Sequence, residues 1–134
     1  MNKILCLDFD GVICDSLQEC LLTSYIAYRY YINKNIDVGF NIEIPKNIQE
    51  NFYQYRYLVK PAKQYGMLQY LLNNNELINA ETFAKSLKDS SFSMDEYEPI
   101  FFKVRSKLIS LDLSHWLEMN SIYPHVLMHW DSIT

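Results

Sequence analysis

Apolar residues recur every three or four positions along most of this chain, the repeat that lines one face of an α-helix. Leu17, Cys20, Leu21, Tyr28 and Ile32 share such a face in a segment that opens after Asp15-Ser16, whose side chains suit an N-cap, and runs to about Asn33. From Asn33 to Pro45 the repeat lapses among Asn33, Asn35, Asp37, Gly39 and Asn41, which predicts a loop. It resumes with Ile48, Phe52, Tyr55 and Val59, from Pro45 at a first helical position to about Lys60. Pro61 interrupts it, and Tyr65, Leu68, Leu71 and Leu72 form the next stripe, ended by Asn73-Asn74-Asn75. Asn79 is placed to cap a short helix through Lys88 that turns Phe83, Ala84 and Leu87 inward. Ser93 and Glu96 have the spacing of a capping box, opening a helix with Ile100, Val104, Leu108 and Leu111 and a bend at Pro99. A last helix is predicted from Leu113 to Asn120, before Tyr123-Pro124.

One segment breaks the helical rule. Lys3 to Leu7 is a short continuous apolar run, the signature of a buried strand, and it delivers Asp8-Phe9-Asp10-Gly11 at its C-terminal end. The chain therefore reads as one strand followed by five or six helices, with helix dominating its spectrum.

Composition supports a folded domain: 49% of the 134 residues are hydrophobic and 21% charged, with only three Gly and four Pro. A formal net charge of −4, with no Lys/Arg cluster longer than two, argues against nucleic-acid binding. The N-terminal apolar run is too short for a signal peptide, and no stretch approaches the roughly 18 apolar residues of a membrane span, so the expected location is cytoplasmic. Cys6, Cys14 and Cys20 are odd in number and lack a CxxC spacing, which predicts reduced structural thiols. Eleven Tyr and seven Phe leave aromatic surface for a partner.

The chemistry-bearing run is Ile4-Leu5-Cys6-Leu7-Asp8-Phe9-Asp10-Gly11-Val12-Ile13-Cys14-Asp15-Ser16. Paired carboxylates at a strand end can divide labour: Asp8 as nucleophile on phosphorus, forming an aspartyl-phosphate, and Asp10 as acid and then base. Gly11 permits close backbone approach. This string resembles the first motif of the haloacid dehalogenase superfamily, in the variety found in its phosphatases and phosphomutases. The resemblance implies an α/β, Rossmann-like fold of which this chain contributes the first strand, followed by a mainly α-helical cap. It further implies Asp8 and Asp10 as Mg2+ ligands, Asp10 through its main-chain carbonyl, and a small phosphorylated metabolite as substrate. The presence of the second aspartate favours phosphoester cleavage over dehalogenation.

The expected layout is a strand and nucleophile motif over 1–16, a cap-like helical region over 17–122 and a return segment over 123–134. Arg56 and Arg105 are candidates to reach a substrate phosphate, since guanidinium suits bidentate contacts. The later Ser/Thr, Lys and acidic motifs of the family cannot be placed here. The chain is accordingly read as the N-terminal part of a phosphohydrolase, truncated and with little or no turnover of its own. Its open core surface favours a homo-oligomer or a missing core. The competing reading is a helical binding or regulatory module keeping a relic of the motif. His125 and His129, one turn apart near Asp131, resemble a metal pair but lack further ligands at metal spacing.

Overall fold

Helix α1, Leu17–Asn33, is buried on every side over half its length: each side chain from Glu19 to Tyr28 is withdrawn from solvent. Complete burial needs neighbours all round, and in the computed structural model, which describes residues 14–33 and 35–122, three later helices supply most of them. Helix α5, Met94–Leu111, packs most extensively against α1, followed by α3, Gln64–Asn73, while α2, Lys46–Tyr55, closes the group against α3 and α1. The remaining helices, α4 at Ala80–Asp89 and α6 at Leu113–Glu118, lean on α3 and α5 respectively. Ile26, Phe52, Leu68, Tyr97, Phe101 and Leu108 form the fully buried centre.

Local chemistry sets the helix ends. Asn79 and Thr82 exchange side chain and backbone hydrogen bonds at 2.9 Å in both directions, a complete capping box for α4. Ser93 Oγ accepts from Glu96 N–H at 3.2 Å to open α5, and Asp112 accepts from His115 N–H to open α6. Helix α3 closes without glycine. Asn75 takes φ 54°, letting Glu76 N–H reach Leu71 O at 3.0 Å and its own N–H approach Leu72 O, the bonding of a Schellman turn. Helix α2 is shorter than its repeat predicts: a 3-10 turn over Arg56–Leu58 tightens it ahead of Pro61, whose ring disfavours helix at Lys60. Pro99 stands inside α5, where it removes one N–H from the ladder.

The only strand pairing among the described residues is a two-residue antiparallel pair. β1, Cys14–Asp15, lies beside β2, Ser121–Ile122, with Cys14 opposite Ile122 and Asp15 opposite Ser121. It ties the entry of the helical unit to its exit and forms a neck.

The predicted predominance of helix holds, and the α/β, Rossmann-like part of the expectation is corrected. A parallel sheet needs strands joined by crossovers, whereas here each connection between Leu17 and Glu118 joins helix to helix and the one strand pair is antiparallel. The predicted strand Lys3 to Leu7 and the segment 123–134 lie outside the described residues. Among the described residues no helix is long and apolar enough to cross a membrane.

Two expected outcomes test this packing. A Cβ built on Gly66 falls 2.7 Å from the Tyr97 ring and 2.8 Å from that of Phe92. Gly66→Ala would gain about 1 kcal/mol of helix propensity in isolation, but overpacking against buried rings costs about 1–3 kcal/mol, so the net change is destabilising. A rise in melting temperature for Gly66→Ala would refute the close packing of α3 on α5. Second, burial pushes the Tyr97 phenol well above its ordinary 10.0. Below that pH the phenol is neutral whether folded or not; above it the unfolded chain ionises first, so its contribution is lost as pH climbs. Tyr97→Phe should therefore weaken the fall in stability above pH 10, as read by urea melts across the alkaline range.

Candidate functional site

The first turn of α1 follows directly on β1, so whatever it carries sits at the neck. It carries a carboxylate. The Glu19 side chain is 2% exposed, and it accepts two bonds from Arg105, Nε at 3.0 Å and Nη2 at 2.9 Å, together with one from the Thr23 hydroxyl. Glu19 lies in the first turn of α1. Ser16 and Cys20, both buried, adjoin the pair: Cys20 Sγ lies 3.8 Å from Arg105 Nη2 and 3.7 Å from Ser16 Oγ. Ser16 was predicted as an N-cap; its carbonyl closes the first turn by accepting Cys20 N–H at 2.9 Å.

Arg105 also lies over the Phe101 ring, 4.8 Å from its centroid. Phe101 stacks on Tyr65 at 5.5 Å and 8°, and Arg56, in the 3-10 turn, stands 6.0 Å from the centroid of Tyr65. The two arginines singled out in the sequence thus close the ends of one ladder, cation, ring, ring, cation, spanning α2's last turn, α3 and α5. The structure treats them differently. Arg105 is engaged by Glu19 in a bidentate bridge, which overturns its candidacy as a phosphate ligand; Arg56 is half-buried with its Nε withdrawn from solvent. At the exit of the unit, Asn120 is 4% exposed and donates to Trp116 O at 2.8 Å, while its Oδ1 and the Trp116 indole N–H are buried with no hydrogen-bond partner among the described residues.

Asp8, Asp10 and Gly11 lie outside the described residues, as do His125, His129 and Asp131. Among the described residues no group of three or more His, Cys, Asp or Glu could hold a metal ion. The Glu19–Arg105 pair escaped the sequence reading because its members lie 86 positions apart. The one available signal was a glutamate followed by Thr23 and Ser24 in a stretch, Glu19 to Tyr28, that is otherwise apolar.

No family model matches the chain, and neither a curated protein nor a solved structure is similar to it. The resemblance of the opening residues to the haloacid dehalogenase superfamily is corrected on this finding. It rests on one short string, and the described residues supply no parallel strand of the core that such a protein is built on.

The buried bridge generates its own test. Arg105→Met keeps the bulk over Phe101 but leaves Glu19 charged and buried, at an expected cost of about 3 kcal/mol in urea unfolding. Adding Glu19→Gln should restore most of that loss. Equal stability of Arg105→Met and the native chain would show that the bridge does not hold α1 to α5.

Proposed function

We propose that the chain serves magnesium-dependent phosphoester hydrolysis, with Asp8 as nucleophile and the helical unit as the cover that selects a small phosphorylated substrate. The observation that carries this reading is the neck. Cys14 stands four residues beyond Asp10, a reach of at most about 14 Å for extended chain, and its pairing with Ile122 returns the exit of the helical unit to the same point. A helical body hung by both ends, and entered four residues after Asp10, suits a cover better than a tail.

In the proposed chemistry Asp8 attacks phosphorus, the bond to the leaving oxygen breaks, and Asp10 gives that oxygen its proton. Asp10 then takes a proton from water as the water attacks the aspartyl-phosphate, releasing inorganic phosphate and restoring Asp8. Gly11 lets the backbone approach the phosphate, and Arg56 is the arginine assigned to the substrate. The Asp8 carboxylate and the Asp10 main-chain carbonyl are hard oxygen donors that would suit Mg2+, which would offset the repulsion between nucleophile and phosphate dianion. The cytoplasm is the proposed location, supported by three thiols without a disulfide spacing. A second copy or further core is the proposed cover for the exposed Leu111, Leu113 and Leu117 near the neck.

A binding or regulatory role without turnover is the second reading, favoured by the commitment of Arg105 to Glu19. Beryllofluoride separates the two, since with Mg2+ it adds to a nucleophilic carboxylate and needs no turnover. A bound 19F signal is expected for the native chain, lost in Asp8→Asn and retained in Asp10→Asn. No bound signal from the native chain, or one indifferent to Asp8→Asn, sinks the phosphoester reading. In any form that turns over, Asp10→Asn should slow hydrolysis of an aryl phosphate by about 10²- to 10⁴-fold.

A further inference from the structure

A cavity of about 320 Å³ opens on the side of α5 turned away from the Glu19 bridge. Its floor is one face of that helix, Pro99, Ile100 and Val104, and its walls are Tyr30 from the last turns of α1 and Val38 from the loop crossing between α1 and α2. Val104 is 4% exposed, and Pro99 brings no N–H, so the floor offers a ligand little but hydrocarbon. Two cations stand on its rim. Lys103 and Lys107 are both exposed and one helical turn apart, and no Asp or Glu lines the cavity. Neither lysine's ammonium group makes an ion pair or hydrogen bond among the described residues, although the chain carries more acids than bases.

We propose that this cavity is a binding site for a small amphipathic anion, an aliphatic or arylalkyl chain of about eight carbons ending in a carboxylate. Size, shape and charge each narrow the class. A volume of 320 Å³ lies near the lower end of the roughly 300–1,000 Å³ of ligand pockets, which admits a short chain and excludes a large cofactor. The floor from Pro99 to Lys107 spans eight residues, about 12 Å at 1.5 Å each, the length of such a chain laid along the helix. An apolar trench with two ammonium groups at its edge takes the tail by desolvation and the head by charge-assisted hydrogen bonds. A neutral apolar ligand would forfeit the second contribution, and a strongly hydrophilic anion the first. The site is independent of the phosphoester chemistry, and its test reads binding alone.

The test is a titration of the full chain with octanoate, followed by amide chemical shifts. Saturable shifts at Val38, Ile100 and Val104 are expected, with octan-1-ol binding about tenfold more weakly for want of the ion contacts. Lys103→Gln with Lys107→Gln, both at exposed positions, should weaken octanoate by a similar factor while leaving octan-1-ol unchanged. Val38→Trp, which fills the trench, should weaken both. Equal affinity for octanoate and octan-1-ol, shifts that map elsewhere, or indifference to the double lysine variant would each overturn the proposal. So would binding to phosphatidylglycerol vesicles without binding of free octanoate, since the site would then be reading a lipid surface.

Discussion

Enclosing α1 on all sides withdraws its polar groups from water, and each must find a partner on a neighbouring helix or cost about 1–3 kcal/mol. Ser24 answers this twice. Its hydroxyl accepts from Gln69 Nε2 at 2.9 Å, which fixes α3, and its carbonyl accepts from the buried Tyr97 hydroxyl at 3.0 Å, which fixes α5. Glu19 makes the third connection, through Arg105. Apolar packing alone would let these helices slide or rotate by a residue with modest loss, because one leucine or phenylalanine stripe resembles the next. The polar contacts tolerate no such slip. They set which residues of α3 and α5 lie beside α1, and the stacked rings of Tyr65, Phe101 and Phe52 fill the space that remains.

That arrangement constrains function at the neck. Arg105 is attractive as a phosphate ligand only while its guanidinium is uncommitted, and the burial of Glu19 commits it. Releasing it would strand a carboxylate that is 2% exposed, a penalty of several kcal/mol that one contact to a substrate phosphate would not clearly exceed. Arg56 differs in kind. It stands in a 3-10 turn that ends a helix, with its guanidinium 6.0 Å from the centroid of the Tyr65 ring.

Helix positions were legible in the sequence wherever a local signal set them. The stripes of α3 and α5, the cap at Asn79, the Ser93 to Glu96 spacing and the interruption at Pro61 all act within four residues, and the structure places helices accordingly. Burial was less legible. The sequence reading assigned α1 one inward face including Ile32, yet Ile32 is 51% exposed and Thr23 and Ser24 are fully enclosed. Which side of a helix is covered depends on elements 45 to 86 positions away, as the Ser24–Gln69 and Glu19–Arg105 contacts show. The α/β expectation failed for a related reason: it extended a short motif at the N-terminus to an architecture whose other strands the described residues do not contain. For the candidate site the sequence supplied Asp8, Asp10, Gly11 and Arg56; the polar run of Glu19, Thr23 and Ser24 marked a buried group in α1 but not the partner 86 positions away that it claims.

Helix α5 borders both the Glu19 bridge and the cavity. At 100° per residue, the residues turned to the cavity, Ile100, Lys103, Val104 and Lys107, alternate along it with those turned to α1, Phe101, Arg105 and Leu108. Val104 and Arg105 are adjacent in the chain, one under the cavity and the other in the bridge at the first turn beyond the neck. The face of α5 turned to α1 is close-packed, and close-packed interiors offer little slack for a single residue to absorb a displacement. Material held in the cavity would therefore bear on the same rod that fixes Glu19. The neck is only two residue pairs long, and so short a ribbon has little stability of its own. Its geometry follows from how α1 enters and α6 leaves, and so depends on the contacts that α5 makes with each.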